Sequence, residues 1–592
     1  MPVPDIIRDA PLGSLLRVLT RNRIFQYIEE KSDFKLPEEY LHILDTSEKT
    51  PNHDAIRRRQ SESSQNTPDQ TFEAEVDLEQ ARRVITSSSI RSTPYTSEAL
   101  QVDLMLRSQR TKSVSIIPTR TSDGVILVDW YRTDDPENPK NWSSLKKSAV
   151  VFMLCFYTWT VYLAGPIWAA SAESGLTDRF HVSPVAASLG LSLYVLAYGI
   201  GDLLFSPITE IPIVGRNPVY YLTFIVFWVL SFGPPVVDSF GGLLALRFWL
   251  GFFGSPALAN GGATMGDMFS VIYIPYGLCW WVFSAWCGPA FGPLIGGFAA
   301  MAKGWTWPMW EVVWIASPVL VLLLLFMPET SADKILLHRA RRLRKLTGDP
   351  RLQSQGEINQ RNLSGRQILF SALIRPVEIT FKDPSIFFVN LYTGYFYGVF
   401  YTFFEVFPLV FPPLYGFNLG ETGLAFMSCL IGVCVAILAY FAYLHFYMVP
   451  DNLKNGFREQ EHRLVPAMIG SLLLPIGLFL FAWTAKPSIH WVAPLTGVAI
   501  FCCGHFWTMQ SLFIYIPFSY PQYAASLFAS NSIWRSATAG ASVVFARPLF
   551  LNLGIARGVS LLGGLSVMGI IGTTAIYVWG KQLRARSKFA VG

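Results

Sequence analysis

The chain has 592 residues, 51% hydrophobic, 15% aromatic and only 15% charged, with a mean hydropathy of +0.35. Soluble domains carry about 25% charged residues, so composition excludes an array of soluble domains, although length alone would accommodate one. The formal charge of +6 averages two unlike regions: residues 1–146 hold 20 Lys/Arg and 23 Asp/Glu, whereas 147–592 hold 27 and 18. The basic excess belongs to the apolar body. It is not interleaved with stacking aromatics in a soluble domain, so no nucleic-acid partner is expected.

Residues 1–146 read as a cytosolic, largely disordered tail. Ile6, Leu12, Leu15, Leu16, Leu19, Ile24, Phe25 and Ile28 keep some helical periodicity. Two readings stay open for 5–45: a short amphipathic helix on the membrane surface, or a weakly structured tail. Residues 46–124 are rich in Ser, Thr, Gln and charge, the composition of a disordered segment. No apolar h-region opens the chain, so insertion is expected to start with the first span.

From 147 onward, apolar runs of about 20 residues recur, each matching the thickness of a hydrocarbon core. They predict twelve transmembrane helices near 147–170, 185–206, 217–236, 242–264, 274–299, 308–327, 385–411, 421–446, 464–484, 489–516, 521–546 and 559–580. This is an all-α membrane protein: a six-helix half over 147–327, a basic cytosolic connector over 328–384, and a second six-helix half with a short basic tail over 385–592. With the N-terminus inside, Lys and Arg crowd the inner flanks (Lys140, Lys146, Lys147, Arg216, the connector, Lys454, Arg458, Arg463 and Lys581–Lys588). The outer loops keep Arg179, Lys303, Lys486 and Arg557. This asymmetry predicts cytosolic N- and C-termini. Seven scattered Cys suggest neither a disulfide framework nor a metal site.

The fifth span reads Gly288-Pro289-Ala290-Phe291-Gly292-Pro293-Leu294-Ile295-Gly296-Gly297. Gly288, Gly292 and Gly296 form a smooth stripe for close helix approach, and Pro289 and Pro293 remove backbone donors and permit bending. Arg247, in Leu246-Arg247-Phe248-Trp249-Leu250-Gly251, needs a partner or cavity, or must snorkel to the outer headgroups. The loop after the second span places Glu210 ahead of Gly215-Arg216, an acid and a cation suited to latching two helices as a gate. Pro328-Glu329-Thr330 follows the sixth span, before the cations Arg339, Arg341, Arg342, Arg344 and Lys345.

Together these segments, with Asn138–Ser143, Gly254-Ser255-Pro256, Gly262–Asp267 and Tyr397–Pro408, resemble the fungal twelve-span drug:H⁺ antiporters of the major facilitator superfamily. The azole- and benomyl-resistance efflux pumps are the nearest likeness, which covers roughly 125–592 and not the tail. The resemblance implies the major facilitator fold, an antiporter motif at Gly288, Pro289, Gly292, Pro293, Gly296 and Gly297, and a proton-coupling role for Arg247. This chain departs from the family pattern at Leu250, where Gln is common, and in the longer spacing between Glu210 and Gly215. It also has no acid between Ser148 and Ala170, where some bacterial drug antiporters place an Asp, so its proton route must differ.

Ionisable residues inside spans are functional candidates. Glu405 lies among Tyr392, Tyr397, Tyr401, Phe404 and Phe407, a carboxylate in an aromatic-walled helix that can bind and release a proton; the alternative is a structural carboxylate paired with an Arg of a neighbouring span. Such walls suit planar or cationic substrates. Asp202 is a second candidate for proton coupling, with Arg535 as counter-ion to Asp202 or Glu405. His505 is either a cavity residue or a hydrogen-bonded core histidine. The substrate cavity is thus expected from Tyr392, Tyr397, Tyr401, Phe404, His505 and Arg535.

The resulting expectation is a non-enzymatic, monomeric plasma-membrane exporter of hydrophobic small molecules in exchange for protons, embedded in the lipid bilayer, with no cofactor or metal. The chain has no phosphate-binding loop for intrinsic ATP hydrolysis. Two other readings compete: export of one endogenous solute, such as a secondary metabolite or polyamine, and a non-transporting membrane sensor.

Overall fold

A computed structural model describes residues 3–45, 113–121, 123–361, 365–456, 458–520 and 523–590. Every predicted span falls on a helix, because a chain in hydrocarbon must satisfy its backbone hydrogen bonds within the segment. The first half contains α2 (Ser144–Ala164), α3 (Pro184–Glu210), α4 (Asn217–Ser231), α5 (Phe240–Gly254), α6 (Pro256–Met268), α7 (Ile274–Lys303) and α8 (Trp307–Phe326). A shorter helix, α1 (Pro11–Leu19), precedes them. The connector supplies α9 (Ala332–Thr347) and α10 (Gly365–Lys382). The second half contains α11 (Pro384–Tyr415), α12 (Met427–Tyr443), α13 (Val465–Thr484), α14 (Val492–Ser519), α15 (Ala524–Leu553) and α16 (Ile555–Arg586).

Among the described residues, nine helices are long and apolar enough to cross a membrane. The other three predicted spans differ for local reasons. Asn217–Ser231 and Phe240–Gly254 are short apolar helices. Pro256, which has no N–H, separates α5 from α6. α15 carries Ser526, Ser530, Asn531, Ser532, Arg535 and Ser536, a run too polar for a lipid-facing helix.

Helix starts follow side-chain capping. Ser143 accepts from Lys146 N at 3.3 Å, and Ser183 accepts from Ala186 N at 3.2 Å. Asp383 accepts from Ser385 N at 2.9 Å and Ile386 N at 3.2 Å, with Pro384 as the first helical residue. The two halves meet along α3 and α15. A Cβ on Gly199 would lie 2.5 Å from Ser536 Cβ, and Ser192 Oγ donates to Gly540 O at 2.8 Å.

Within the tail expected over 1–146, residues 3–45, 113–121 and 123–143 are described and pack against the connector and the bundle; residues 46–112 and 122, most of the segment expected to be disordered, lie outside the described residues. α1 lies against α4 and α8, the arrangement of a surface amphipathic helix. β1 (Ile126–Leu127) pairs in parallel with β2 (Leu352–Gln353) of the connector. Tyr40, Val128, Ala340, Leu343 and Leu352 form a small buried core there.

Beside that core, Arg339 is 1% exposed and pairs with Asp135 at 2.7 Å, Glu137 at 3.1 Å and Glu29 at 3.3 Å. Arg342 reaches Glu29 at 2.9 Å and Glu137 at 3.1 Å. Burial alone would push the Glu29 carboxyl up, but Arg342 and Arg339 outweigh it and hold it below the usual carboxylate range. Local composition missed this module because each half is incomplete: tail acids and aromatics find their cations in the connector, some 200–300 residues away.

Candidate functional site

The polar groups inside the bundle gather where α3 and α15 face each other. Asp202 is fully buried, accepts a hydrogen bond from Ser532 Oγ, and keeps Oδ1 unpartnered among the described residues. Arg535 is three residues from Ser532, hence on the same face of α15. Its guanidinium lies 5.1 Å from the Tyr397 ring centre and 5.5 Å from that of Phe513, with Nε unpartnered. The hydroxyls of Tyr198 and Tyr397 meet at 2.7 Å, and that of Tyr401 lies 3.5 Å from Tyr397. His505 is buried with Nδ1 unpartnered, edge-on to Trp286 at 4.7 Å and Phe396 at 4.5 Å.

Ser532, Arg535, Phe513, Tyr397, Trp286 and His505 border two hollows, with Asp202 behind Ser532. One, of about 310 Å³, has Trp281, Phe513, Ser532 and Arg535 in its wall and extends to Lys140, Glu210 and Arg216. The other, of about 40 Å³, shares Trp281, Phe513 and Arg535 and adds Tyr162, Tyr397 and His505. The walls are aromatic, with one buried cation and one buried acid nearby. Such a site offers stacking, cation–π contact and a few orienting hydrogen bonds to an apolar ligand.

The connector end of the bundle carries a dense polar latch. Arg216 pairs through Nε with Asp267 at 3.2 Å and donates from NH1 to Thr209 at 3.0 Å. Glu329 accepts from Arg216 N at 3.0 Å and Asn217 N at 3.3 Å, and pairs with Lys334 at 3.0 Å. Gly215 adopts φ +70°, and a Cβ there would sit 2.3 Å from Lys334 Cδ, so the turn needs glycine. Glu210 and Arg216, the expected gate residues, border the same hollow, and Asp267 is the acid in direct ion-pair contact with the Arg216 guanidinium.

The opposite, far end is closed differently. Arg547 of α15 pairs with Glu173 at 2.8 Å and Glu405 at 3.8 Å, beside a hollow of about 70 Å³ that Phe404 also lines. This corrects the expected role of Arg535 as counter-ion to Glu405. Placing the eleventh-span boundary at 546 hid Arg547, one residue beyond it.

Glycines complete the far-end seal. A Cβ on Gly288 would lie 2.5 Å from Tyr162 Cβ, on Gly292 3.0 Å from Ile167 N, and on Gly296 2.9 Å from Ile167 Cγ1. A Cβ on Gly297 would lie 2.7 Å from Leu419 O, and one on Gly423 would approach Pro293 O to 2.3 Å. The motif, with Pro289 in the wall of the smaller hollow, is thus wedged between the first-span segment Tyr162–Ala170 and residues 419–423 of the other half.

Two expected site residues look elsewhere. Tyr392 stacks on Phe388 at 5.4 Å and turns to α16, where a Cβ on Gly569 would lie 1.8 Å from its ring. Arg247 is 2% exposed and has no carboxylate partner among the described residues. It donates to Ala164 O at 2.7 Å, Gly165 O at 2.9 Å and Gly190 O at 3.1 Å, between the Trp168 and Tyr194 rings. It therefore ties α2, α3 and α5 together rather than snorkelling.

Trp281, Phe513, Tyr162, Asp267, Glu173 and Arg547 were not singled out from the sequence. An aromatic in an apolar run carries no local mark of cavity or lipid. Asp267, at the end of the fourth span, and Arg547 were legible as charges at span ends.

A helical bundle with an apolar and aromatic hollow between two halves and an ionic cluster at each end is a membrane transporter of small molecules. The chain belongs to the Major Facilitator Superfamily, whose family model matches residues 148–543. It is 43% identical over 473 residues to the "MFS-type transporter pyvG" of Aspergillus violaceofuscus, covering 80% of this chain and 87% of that one. It is 33% identical to the "Cycloheximide resistance protein" of Candida maltosa over 99% of both chains, so likeness extends into the tail, beyond the expected start near 125. Other fungal relatives are named for fluconazole or multidrug resistance. A solved POT family transporter in complex with 5-aminolevulinic acid shares the fold, with TM-score 0.53 and 12% identity over 74% of this chain and 96% of that one.

Proposed function

We propose that this chain is a twelve-span plasma-membrane exporter that moves hydrophobic small molecules outward in exchange for protons, with both termini in the cytosol. The halves are 147–327 and 385–592, joined by the connector 328–384. The hollow walled by Trp281, Phe513, Ser532 and Arg535, with Asp202 hydrogen-bonded to Ser532 behind the wall, carries the reading, because it leads to the connector end while the far end is held shut. In this state a substrate enters from the connector side. That side is the cytosol by the sorting of Lys and Arg to one face.

Transport then requires the far-end contacts to open and the Arg216 latch to tighten, exchanging one closed end for the other. Protonation supplies the bias. A proton on Glu405 removes one of the two charges that hold Arg547, and a proton on Asp202 removes the acid beside Arg535. Each step changes the relative stability of the two states, the requirement for coupling. Arg247 acts as the brace that keeps α2, α3 and α5 moving as one body.

The test is efflux of fluconazole, benomyl and cycloheximide from proteoliposomes of purified protein, with and without an imposed pH gradient. Gradient-dependent efflux of several compounds is expected. Movement of one compound only would identify a dedicated solute exporter, and no movement of any would return the chain to the class of membrane sensors.

A further inference from the structure

A further hollow, distinct from the transport path, lies outside the bundle. It has a volume of about 630 Å³ and is walled by α1, α9 and the start of α4. Lys334, His338, Arg341 and Lys345 share one face of α9, at i, i+4, i+7 and i+11, and all line it, joined by Arg17 from α1.

The acids in the wall are matched. Glu30 pairs with Arg17 at 2.7 Å, Glu329 with Lys334 at 3.0 Å, Glu137 with Arg342 at 3.1 Å, and Asp9 with Arg8 at 2.8 Å. Arg341 and Lys345 have no hydrogen bond or ion pair among the described residues. Two unmatched cations at one hollow create a positive field that favours an anion. Desolvation, then the cations Lys334, Arg341, Arg342 and Arg17, holds the His338 imidazole down to about 4. It therefore stays neutral at neutral pH, and Arg341 and Lys345 carry the unmatched charge.

The surroundings identify the source of the anion. On α1, Leu15, Val18 and Leu19 are 54%, 74% and 70% exposed, although the helix packs on the ends of α4 and α8. Large apolar side chains left uncovered beside span ends are covered by acyl chains, in the manner of an interfacial helix. A cationic hollow with an adjoining apolar shelf fits an amphiphile whose polar end is a phosphate.

We infer that this hollow binds the phosphorylated headgroup of an anionic phospholipid from the adjoining leaflet, with Arg341 and Lys345 on the phosphate and α1 on the chains. The site is independent of what is transported and takes only the cytosolic identity of that leaflet from the function proposed above. Because Glu329 and Lys334 belong to both the hollow and the Arg216 latch, the bound lipid lies one ion pair from the gate.

The test uses the full-length protein in phosphatidylcholine nanodiscs, with native mass spectrometry to count retained lipid. Dioctanoyl phosphatidylinositol 4-phosphate is titrated against dioctanoyl phosphatidylcholine, and inositol 1,4-bisphosphate is titrated as the chain-free counterpart. One retained phosphoinositide is expected, at about tenfold tighter apparent affinity than phosphatidylcholine. Arg341→Gln with Lys345→Gln should lower that affinity about tenfold, whereas Lys382→Gln, a connector cation outside the hollow, should not.

Equal retention of both lipids, or equal losses in the two variants, overturns the site. Inositol 1,4-bisphosphate binding as tightly as the lipid overturns the lipid assignment in favour of a soluble phosphate. Circular dichroism and gel filtration of each variant separate loss of binding from loss of folding.

Discussion

The two ends of the transport path are built from different chemistry. At the connector end, Arg216, Asp267, Thr209, Glu329 and Lys334 share a branched network in which each charge has more than one partner. At the far end, one guanidinium, Arg547, holds two carboxylates, and the remaining seal is backbone-to-glycine contact. A branched network tolerates loss of one member, whereas a single pivot does not. A glycine seal has no charge to titrate, so protonation can act at the far end only through Glu405 and Glu173.

Substitution at the pivot should therefore have the largest effect. Glu405→Gln fixes a neutral side chain of the same shape, so the far end has one charge fewer and no proton to exchange. Gradient-driven efflux should fall to background while exchange of substrate between equal pH compartments persists. If proteoliposomes of this variant still respond to a pH gradient, Glu405 has no coupling role and Asp202 stands alone.

The glycine seal comes next. A Cβ at Gly423 has no room against Pro293 O, a backbone atom that cannot rotate away. Gly423→Val should prevent far-end closure and reduce efflux about tenfold or more, an effect of a kcal/mol or two on the balance of states. Crosslinking between Cys introduced at the far end would report the change in closure. Unaltered crosslinking alongside unaltered efflux would show that the contact yields.

Asp267→Asn tests the branched end. Thr209 and the backbone bonds of Glu329 remain to Arg216, so a loss of about threefold is expected, near the 0.5–1 kcal/mol of one replaceable polar contact. A loss as severe as that at Glu405 would mean the two ends are equally brittle, removing the contrast between them.

How much of this was legible in the sequence divides along the same line. Apolar runs located the helices of the two halves because hydrophobicity is recorded locally, and the glycine repeat at 288, 292 and 296 announced a close contact because spacing is local too. Partners were not legible. Glu210 and Arg216 were read as a gate from their nearness in sequence, whereas Asp267, fifty-one residues beyond Arg216, is the acid in contact with it. Arg535 was left open as counter-ion to Asp202 or Glu405, and Arg547, the Arg that pairs with Glu405, lay just outside a predicted span. The tail was misread for a related reason: its acids are solvated charges until the connector's guanidiniums are brought beside them.

That tail gives the smallest transport effect and the clearest local one. Arg339→Met removes the buried cation shared by Glu29, Asp135 and Glu137, leaving Arg342 to face them. Breaking one partner of a buried ion network costs about 3–5 kcal/mol, so hydrogen exchange over 3–45 and 126–142 should quicken strongly. Efflux should stay within about twofold, since the transport path is untouched and the loss is confined to one cooperative unit. The pH response should shift toward stabilisation by acid, because Glu137, which burial already holds above its usual range in the native protein, loses the Arg339 charge that opposes that shift. In the native protein Glu29 lies below its ordinary range, so its contribution is present above that range and is lost as pH falls through the folded value. In the variant three buried carboxylates share Arg342 alone and gain by taking up protons, so mild acidification should restore part of the protection of the tail. Protection that falls with pH in both proteins would show that Arg342 alone is enough to hold the three acids, and that the network has the same redundancy as the latch beside it.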